Sequence, residues 1–138
     1  MELHKYDVVE AQVNRGGSVQ GKRRPYVIVS NEIGTRKSTI VTIVPLTSVI
    51  KGLHLPVHAC IEACTENGLK KFSMILGEQP QTISKNDVLR KIGSVKDKEQ
   101  RMTINKIVFA NFFFGEEIIW EELLHDVERS GNHFGITG

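Results

Sequence analysis

The chain has 138 residues, 40% of them hydrophobic and 25% charged, with a formal net charge of +2 and two cysteines. That is the size and make-up of one soluble globular domain, and two cysteines exclude a disulfide-stapled scaffold. No apolar run approaches the ~18 residues of a spanning helix and the first residues show no signal-peptide pattern, so a cytoplasmic location is expected.

The small net charge hides a segregation. Residues 1–60 carry eight Lys/Arg against four Asp/Glu, residues 61–115 nine against six, and residues 116–138 one against six. A basic body attracts polyanions, although solvated surface charge gives the same numbers.

Taken in chain order, Asp7 to Val13 alternates, with Val9, Ala11 and Val13 opposite Val8, Glu10 and Gln12, the pattern of a half-buried strand. Asn14 to Arg24 is a polar loop carrying Gly16, Gly17 and Gly21 beside Arg15, Lys22, Arg23 and Arg24. Glycine lets a backbone approach a ligand closely, and arginine's planar fork matches phosphate oxygens, so the loop reads as phosphate-facing. Pro25 to Ser30 and Ile40 to Val44 are apolar runs, Leu53 to Ile61 alternates, and Phe72 to Leu76 closes the set. Five short strands without a long helical crossover predict a mainly β (α+β) fold, a small and strongly bent antiparallel barrel.

Helical signals come later. Ser84 and Asp87 resemble a capping box before a short turn, Lys85 to Arg90. Asp97 with Gln100 caps a helix from Lys98 to Phe114, whose wide apolar stripe includes Met102, Ile104, Ile107, Val108, Phe109, Phe112 and Phe113; Gly115 is its stop.

Two polar strand ends accompany the basic loop: Val44-Pro45-Leu46-Thr47-Ser48, and Gly77-Glu78-Gln79-Pro80-Gln81-Thr82-Ile83. Singly, each has a structural explanation. Thr and Ser cap turns more often than they catalyse, and Glu78 and Gln79 suit a solvated strand end.

In this order and spacing the pieces resemble the MazF/PemK family of toxin endoribonucleases. Tyr6-Asp7-Val8-Val9 is similar to the family's opening strand, and Gly17-Ser18-Val19-Gln20-Gly21-Lys22-Arg23-Arg24-Pro25 to its G-S-x-Q-x-x-x-R-P signature. Leu55-Pro56-Val57-His58 resembles its L-P-T-H strand, Glu78-Gln79 opens its E-Q-x-R-T motif, and Ile92-Gly93 with the following helix completes the match over residues 5–114. The resemblance implies a barrel of the Src-homology-3 type (SH3-like) over residues 1–115, a homodimer, and cleavage of single-stranded RNA at short sequences without metal or other cofactor. It implies Arg24 and Thr47 as the catalytic pair, and an antitoxin protein whose acidic segment occupies the RNA groove.

The residue types suit that chemistry. When RNA is cut by its own 2′-hydroxyl, the substrate brings the nucleophile, and the protein adds charge stabilisation, in-line positioning and proton transfer. Arg24 stabilises charge, but stays protonated and is a poor base. Thr47 hydrogen-bonds a phosphate oxygen or orients the 2′-hydroxyl. Ser18, Gln20, Lys22, Arg23, Ser48, Gln79 and Gln81 are the candidate RNA-binding residues, for phosphates and for splayed bases. The general base stays open. One departure stands out: the family's E-Q-x-R-T has Arg where this chain has Gln81, a neutral amide.

His54, His58, Cys60 and Cys64 form H-x3-H-x-C-x3-C, but zinc sites favour C-x2-C pairs, so ordinary strand and loop positions are expected and no metal site. Residues 116–138 form an acidic extension, helical and then disordered, with Trp120, Leu123, Leu124 and Val127 at helical spacing among acidic residues. It either packs on the barrel or across a dimer, or covers the basic groove and competes with RNA. Two other functions stay in play, a gyrase-binding toxin on the same fold and a catalytically degenerate RNA-binding module, the latter favoured by Gln81.

Overall fold

The structure, a computed structural model, describes residues 1–13, 23–125 and 127. Seven strands dominate: β1 (Asp7–Gln12), β2 (Arg23–Ile28), β3 (Ile40–Thr47), β4 (His58–Ile61), β5 (Ser73–Leu76), β6 (Gln81–Ser84) and β7 (Val88–Ser94). Two helices join them, α1 (Glu32–Lys37) and α2 (Lys98–Phe113). All pairings are antiparallel and follow the order β4-β5-β3-β2-β1-β7, with β6 also on β3.

β3 is the pivot. Ile43 to Pro45 pair with β2, while Ile40 to Ile43 pair with β6 and Leu46 and Thr47 with β5. One strand that changes partner along its length bends the sheet. Both faces of the central strands are buried: Val8, Val27, Val44 and Leu46 pack with Ile104 and Ile107 of α2, and Val9, Ala11, Tyr26, Ile28, Val41 and Ile43 pack with Leu3 and Val88.

The expected barrel is antiparallel and strongly bent, but its strands do not close it. Among the described residues no ladder joins β4 to β7, the two ends of the path. The chain after β4 spans this seam. Ser94 N–H donates to Glu66 O at 2.8 Å, and the Asn67 side chain, fully buried, accepts from Cys64 N–H and Leu69 N–H and donates to Glu62 O. A side chain with its amide satisfied on both ends holds a turn in one shape. Gly68, at φ +70°, and Gly93 are the points of closest approach. A Cβ on Gly93 would overlap the Glu66 carbonyl oxygen and reach 2.5 Å from the Asn67 carbonyl carbon.

Several element boundaries differ from the sequence expectation. β2 begins at Arg23, so Arg24 lies on a strand and not in the loop. The alternating stretch from Leu53 is strand only from His58; before it, Leu55 N–H bonds to Gly52 O and His58 N–H to Leu55 O, turns set by Gly52 at φ +62°. The turn expected over Lys85 to Arg90 is a 3-10 turn over Lys85–Asp87 capped by Ser84, after which the chain enters β7. That strand is charged at Arg90 and Lys91, as suits a sheet edge. Helix α1 was not foreseen, because only Thr35 on it is buried and it shows no apolar periodicity. Its start is legible afterwards: Asn31 Oδ1 accepts from Gly34 N–H at 2.8 Å.

Helix α2 starts as expected, with the Asp97 side chain accepting from Gln100 N–H, and Gly115 at φ +87° follows its end. Its stripe is wider than its buried face. Only Ile104 and Ile107 are buried, whereas Met102, Phe112 and Phe114 are exposed. Residues 120–125 are helical again, and Trp120 stacks on Phe109 at 5.2 Å between ring centroids. None of the described tail residues lines the cleft below. No helix among the described residues is long and apolar enough to cross a membrane.

Candidate functional site

The ends of β2 and β3, the chain before β5, and the edges of β1 and β7 surround a cleft of about 410 Å³. Arg24, Thr47 and Ser48 line it, together with Glu10, Lys70, Lys71, Ser73 and Arg90; Pro25, Leu46, Leu69 and Ile92 are among its apolar residues. Residues 24 and 47, distant in sequence, reach one cavity because β2 and β3 pair antiparallel with Tyr26 opposite Pro45.

Thr47 is oriented by its own backbone. Its Oγ1 accepts from Val49 N–H at 3.1 Å, so its own O–H is free to donate. Arg24 is half-buried, and among the described residues no carboxylate pairs with its guanidinium. An arginine fork and a hydroxyl donor facing one water-accessible cleft form an arrangement for gripping a phosphate group.

The cationic wall is broader than the sequence suggested. Lys70 and Lys71, both exposed, stand on the chain that leads into β5, and Arg90 stands on β7. The available signals were weak: a Lys-Lys pair before an apolar strand, and a charged position on an alternating one. Glu10 shows in the sequence only as one polar position on the alternating β1. Its carboxylate lies 3.9 Å from Arg23 Nη1 and 3.5 Å from Arg90 Nη2.

The other candidate residues divide into two groups. Ser18, Gln20 and Lys22 lie outside the described residues. Gln79 and Gln81 are described but do not line the cleft with Arg24. Gln81 opens β6 opposite Ile43, and its buried side-chain oxygen has no hydrogen-bond partner among the described residues. The missing family arginine therefore falls at a position outside the cavity that holds Arg24 and Thr47.

The H-x3-H-x-C-x3-C pattern is not a ligand cluster. Among the described residues no three His, Cys, Asp or Glu side chains converge as a metal-binding group. Burial pushes the Cys60 thiol up, away from thiolate character. His58 is instead a structural clamp, its side chain 7% exposed. Nδ1 faces Gly52 O at 2.8 Å and Nε2 faces the Glu78 carboxylate at 2.8 Å. It thereby ties the loop after Thr47 to the turn after β5. Burial alone lowers its pKa, but hydrogen bonds to Glu78 and to the Gly52 carbonyl, with the Glu78 charge, raise it above 6.5 overall.

A raised histidine pKa stabilises the fold fully below the unfolded value, near 6.5, and that contribution is lost as pH rises through the folded value. The wild-type melting temperature is therefore expected to exceed that of Glu78→Gln by more at pH 6 than at pH 8.5. Thermal unfolding at the two pH values measures this, and an equal gap removes the clamp from consideration.

Residues 4–109 match the model of the PemK-like, MazF-like toxin of type II toxin-antitoxin systems. The chain belongs to this family. It is 36% identical over 91 residues to Endoribonuclease MazF of Staphylococcus saprophyticus, covering 66% of this chain and 75% of that protein. To Endoribonuclease EndoA of Bacillus subtilis it is 37% identical over 82 residues, covering 59% of this chain and 70% of that one. The solved structure of the Mycobacterium tuberculosis toxin MazF-mt6 superposes with a TM-score of 0.62 at 25% identity, covering 77% of this chain and 95% of that one. For a PemK/MazF toxin, the matched span takes in every strand described above and most of α2, and it leaves the acidic extension outside.

Proposed function

We propose that this PemK/MazF toxin is a cytoplasmic, sequence-specific endoribonuclease, an mRNA interferase that cuts single-stranded RNA by attack of the substrate's 2′-hydroxyl. The observation that carries the reading is the sharing of one cleft by Arg24 and Thr47, with the Thr47 O–H left free to donate by the bond its Oγ1 accepts from Val49 N–H. Arg24 stabilises the negative charge that builds on the phosphorane and its leaving oxygen. Thr47 donates to a non-bridging oxygen, and Ser48 stands beside it. The substrate supplies the nucleophile, so the step needs no cofactor. The partners are single-stranded mRNA, a cognate antitoxin that supplies an acidic segment, and a second copy of the chain. Exposed Met102 and Phe112 on α2, and Phe114 just after it, suit burial between copies.

Incubation of purified protein with a long single-stranded RNA in the presence of a chelator tests the reading. Discrete cuts at recurring short sequences are expected. Binding without cuts supports a degenerate module instead, inhibition of gyrase without either supports a gyrase poison, and a requirement for divalent metal overturns the mechanism.

Lys70 and Lys71 are assigned to phosphates flanking the cut, supplying the charge that Gln81 lacks. On single strands each phosphate contact contributes about 0.7 to the slope of log affinity against log salt. The double variant Lys70→Ala/Lys71→Ala is expected to flatten that slope by about 1.4, read by fluorescence anisotropy across a salt series. An unchanged slope takes both lysines out of the interface.

A further inference from the structure

Attack by a 2′-hydroxyl needs a group that takes the hydroxyl proton, and the Arg24–Thr47 pair offers none. Arginine stays protonated, and the Thr47 hydroxyl is set to donate. Among the described residues that line the cleft, Glu10 is the sole carboxylate and none is a histidine. By sequence, residues 14–22 contain no Asp, Glu or His.

Glu10 is also well placed. It faces Pro25 across the β1–β2 ladder and lines the same cleft as Arg24 and Thr47. Its side chain is 21% exposed, enough to meet a substrate and enclosed enough to be held. Arg23 of β2 stands 3.9 Å from Oε1, and Arg90 of β7 stands 3.5 Å from Oε2. Both contacts are longer than a tight charge-assisted fork. A carboxylate offers about four acceptor sites, so capacity remains for a substrate hydroxyl.

We infer that Glu10 is the general base of the cleavage, accepting the 2′-hydroxyl proton while Arg24 and Thr47 hold the phosphate. The inference rests on the endoribonuclease reading above and adds a catalytic residue that the family resemblance does not assign. In the step, the O2′–P bond forms as the P–O5′ bond breaks. The 2′ proton passes to the Glu10 carboxylate, the departing O5′ takes a proton from water, and the hydroxide so formed recovers the proton from Glu10. The products are a 2′,3′-cyclic phosphate and a 5′-hydroxyl.

Among the described residues, the charged groups beside Glu10 are Arg23 from β2 and Arg90 from β7, and Arg24, Lys70 and Lys71 line the same cleft. All are cations.

The test is single-turnover cleavage, from pH 4.5 to 8, of an oligoribonucleotide carrying a mapped cut site, by wild type, Glu10→Gln and Glu10→Asp. Affinity is read with the 2′-O-methyl form of the same oligonucleotide. The wild-type rate is expected to rise through the acid limb and level off. Glu10→Gln is expected to cut about 10²–10⁴-fold more slowly, to lose the acid limb, and to keep its affinity for the analogue. Glu10→Asp, a carboxylate set back by one methylene, is expected to be slower than wild type with the limb retained. It keeps the test decisive if Glu10→Gln does not fold. Wild-type cutting with Glu10→Gln equally fast, or slower with an unchanged pH profile, overturns the inference and leaves the endoribonuclease reading intact. An altered set of cut sites at an intact rate also overturns it, since the carboxylate then reads a base. Absence of cutting by folded wild type overturns both.

Discussion

Arg24→Ala is expected to slow RNA cleavage about 10²–10³-fold, the usual cost of losing one donor aimed at transition-state charge. RNA affinity should fall far less, because Lys70, Lys71 and Arg90 remain in the same cleft. Thr47→Ala removes an oriented hydroxyl and no charge, so a smaller loss of about 10²-fold is expected at the low end of the same range. Arg24→Lys separates the two parts of the arginine's role. It keeps a positive charge but loses the planar fork, and a rate between those of wild type and Arg24→Ala is expected. Combining Arg24→Ala with Thr47→Ala should cost less than the product of the two, since residues acting on one phosphate fail as a unit. Single-turnover rates at saturating protein give the chemical step directly. If both single variants cut like wild type, the assignment of the pair is wrong. If they bind RNA like a wild type that does not cut, the chain is a binding module.

The second large effect concerns the seam. Gly93→Ala is expected to destabilise the fold by about 3 kcal/mol, at the upper end of overpacking costs. For a chain of this length that lowers the melting temperature by roughly 10 °C. The reason is specific: the added Cβ would meet the backbone of Glu66 and Asn67, and backbone cannot rotate aside as the tip of a side chain can. Ser94 N–H, bonded to Glu66 O on the same segment, would be displaced with it. Gly34 is the control. There a Cβ would find only the Asn31 side chain at 3.4 Å, and α1 gains helix propensity from alanine, so Gly34→Ala should change stability by less than about 1 kcal/mol. Thermal and denaturant unfolding of the two variants compare them directly. Equal stabilities would mean that the seam tolerates movement and that residues 62–69 do not fasten β7.

The seam also supports the cleft. Gly68, Leu69, Lys70 and Lys71 line one wall, and they continue directly from the Asn67 turn that crosses β7. The glycine of Ile92-Gly93 is thus tied by packing to the position of two candidate phosphate contacts. A destabilised Gly93→Ala protein that still folds is expected to show weakened RNA affinity as well.

Much of the molecule was legible in its sequence. Local pattern determined β1, the body of β2 and β3, β5, and α2 with its Asp97 cap, because alternation, apolar runs and capping residues act over a few neighbouring positions. Motif order singled out Arg24 and Thr47, which line one cleft. Only the tertiary structure decided the rest. β7 is legible as a strand once it is seen paired with β1, and α1 has one buried residue and so no periodicity to read. Open or closed, the sheet's form depends on which strands pair at its ends, which no local pattern encodes. Glu10, Lys70, Lys71 and Arg90 join Arg24 and Thr47 because three separate strand pairings and the Asn67 turn bring them together. Sequence fixes chemistry residue by residue, but convergence of charges from distant segments is a property of the packed backbone alone.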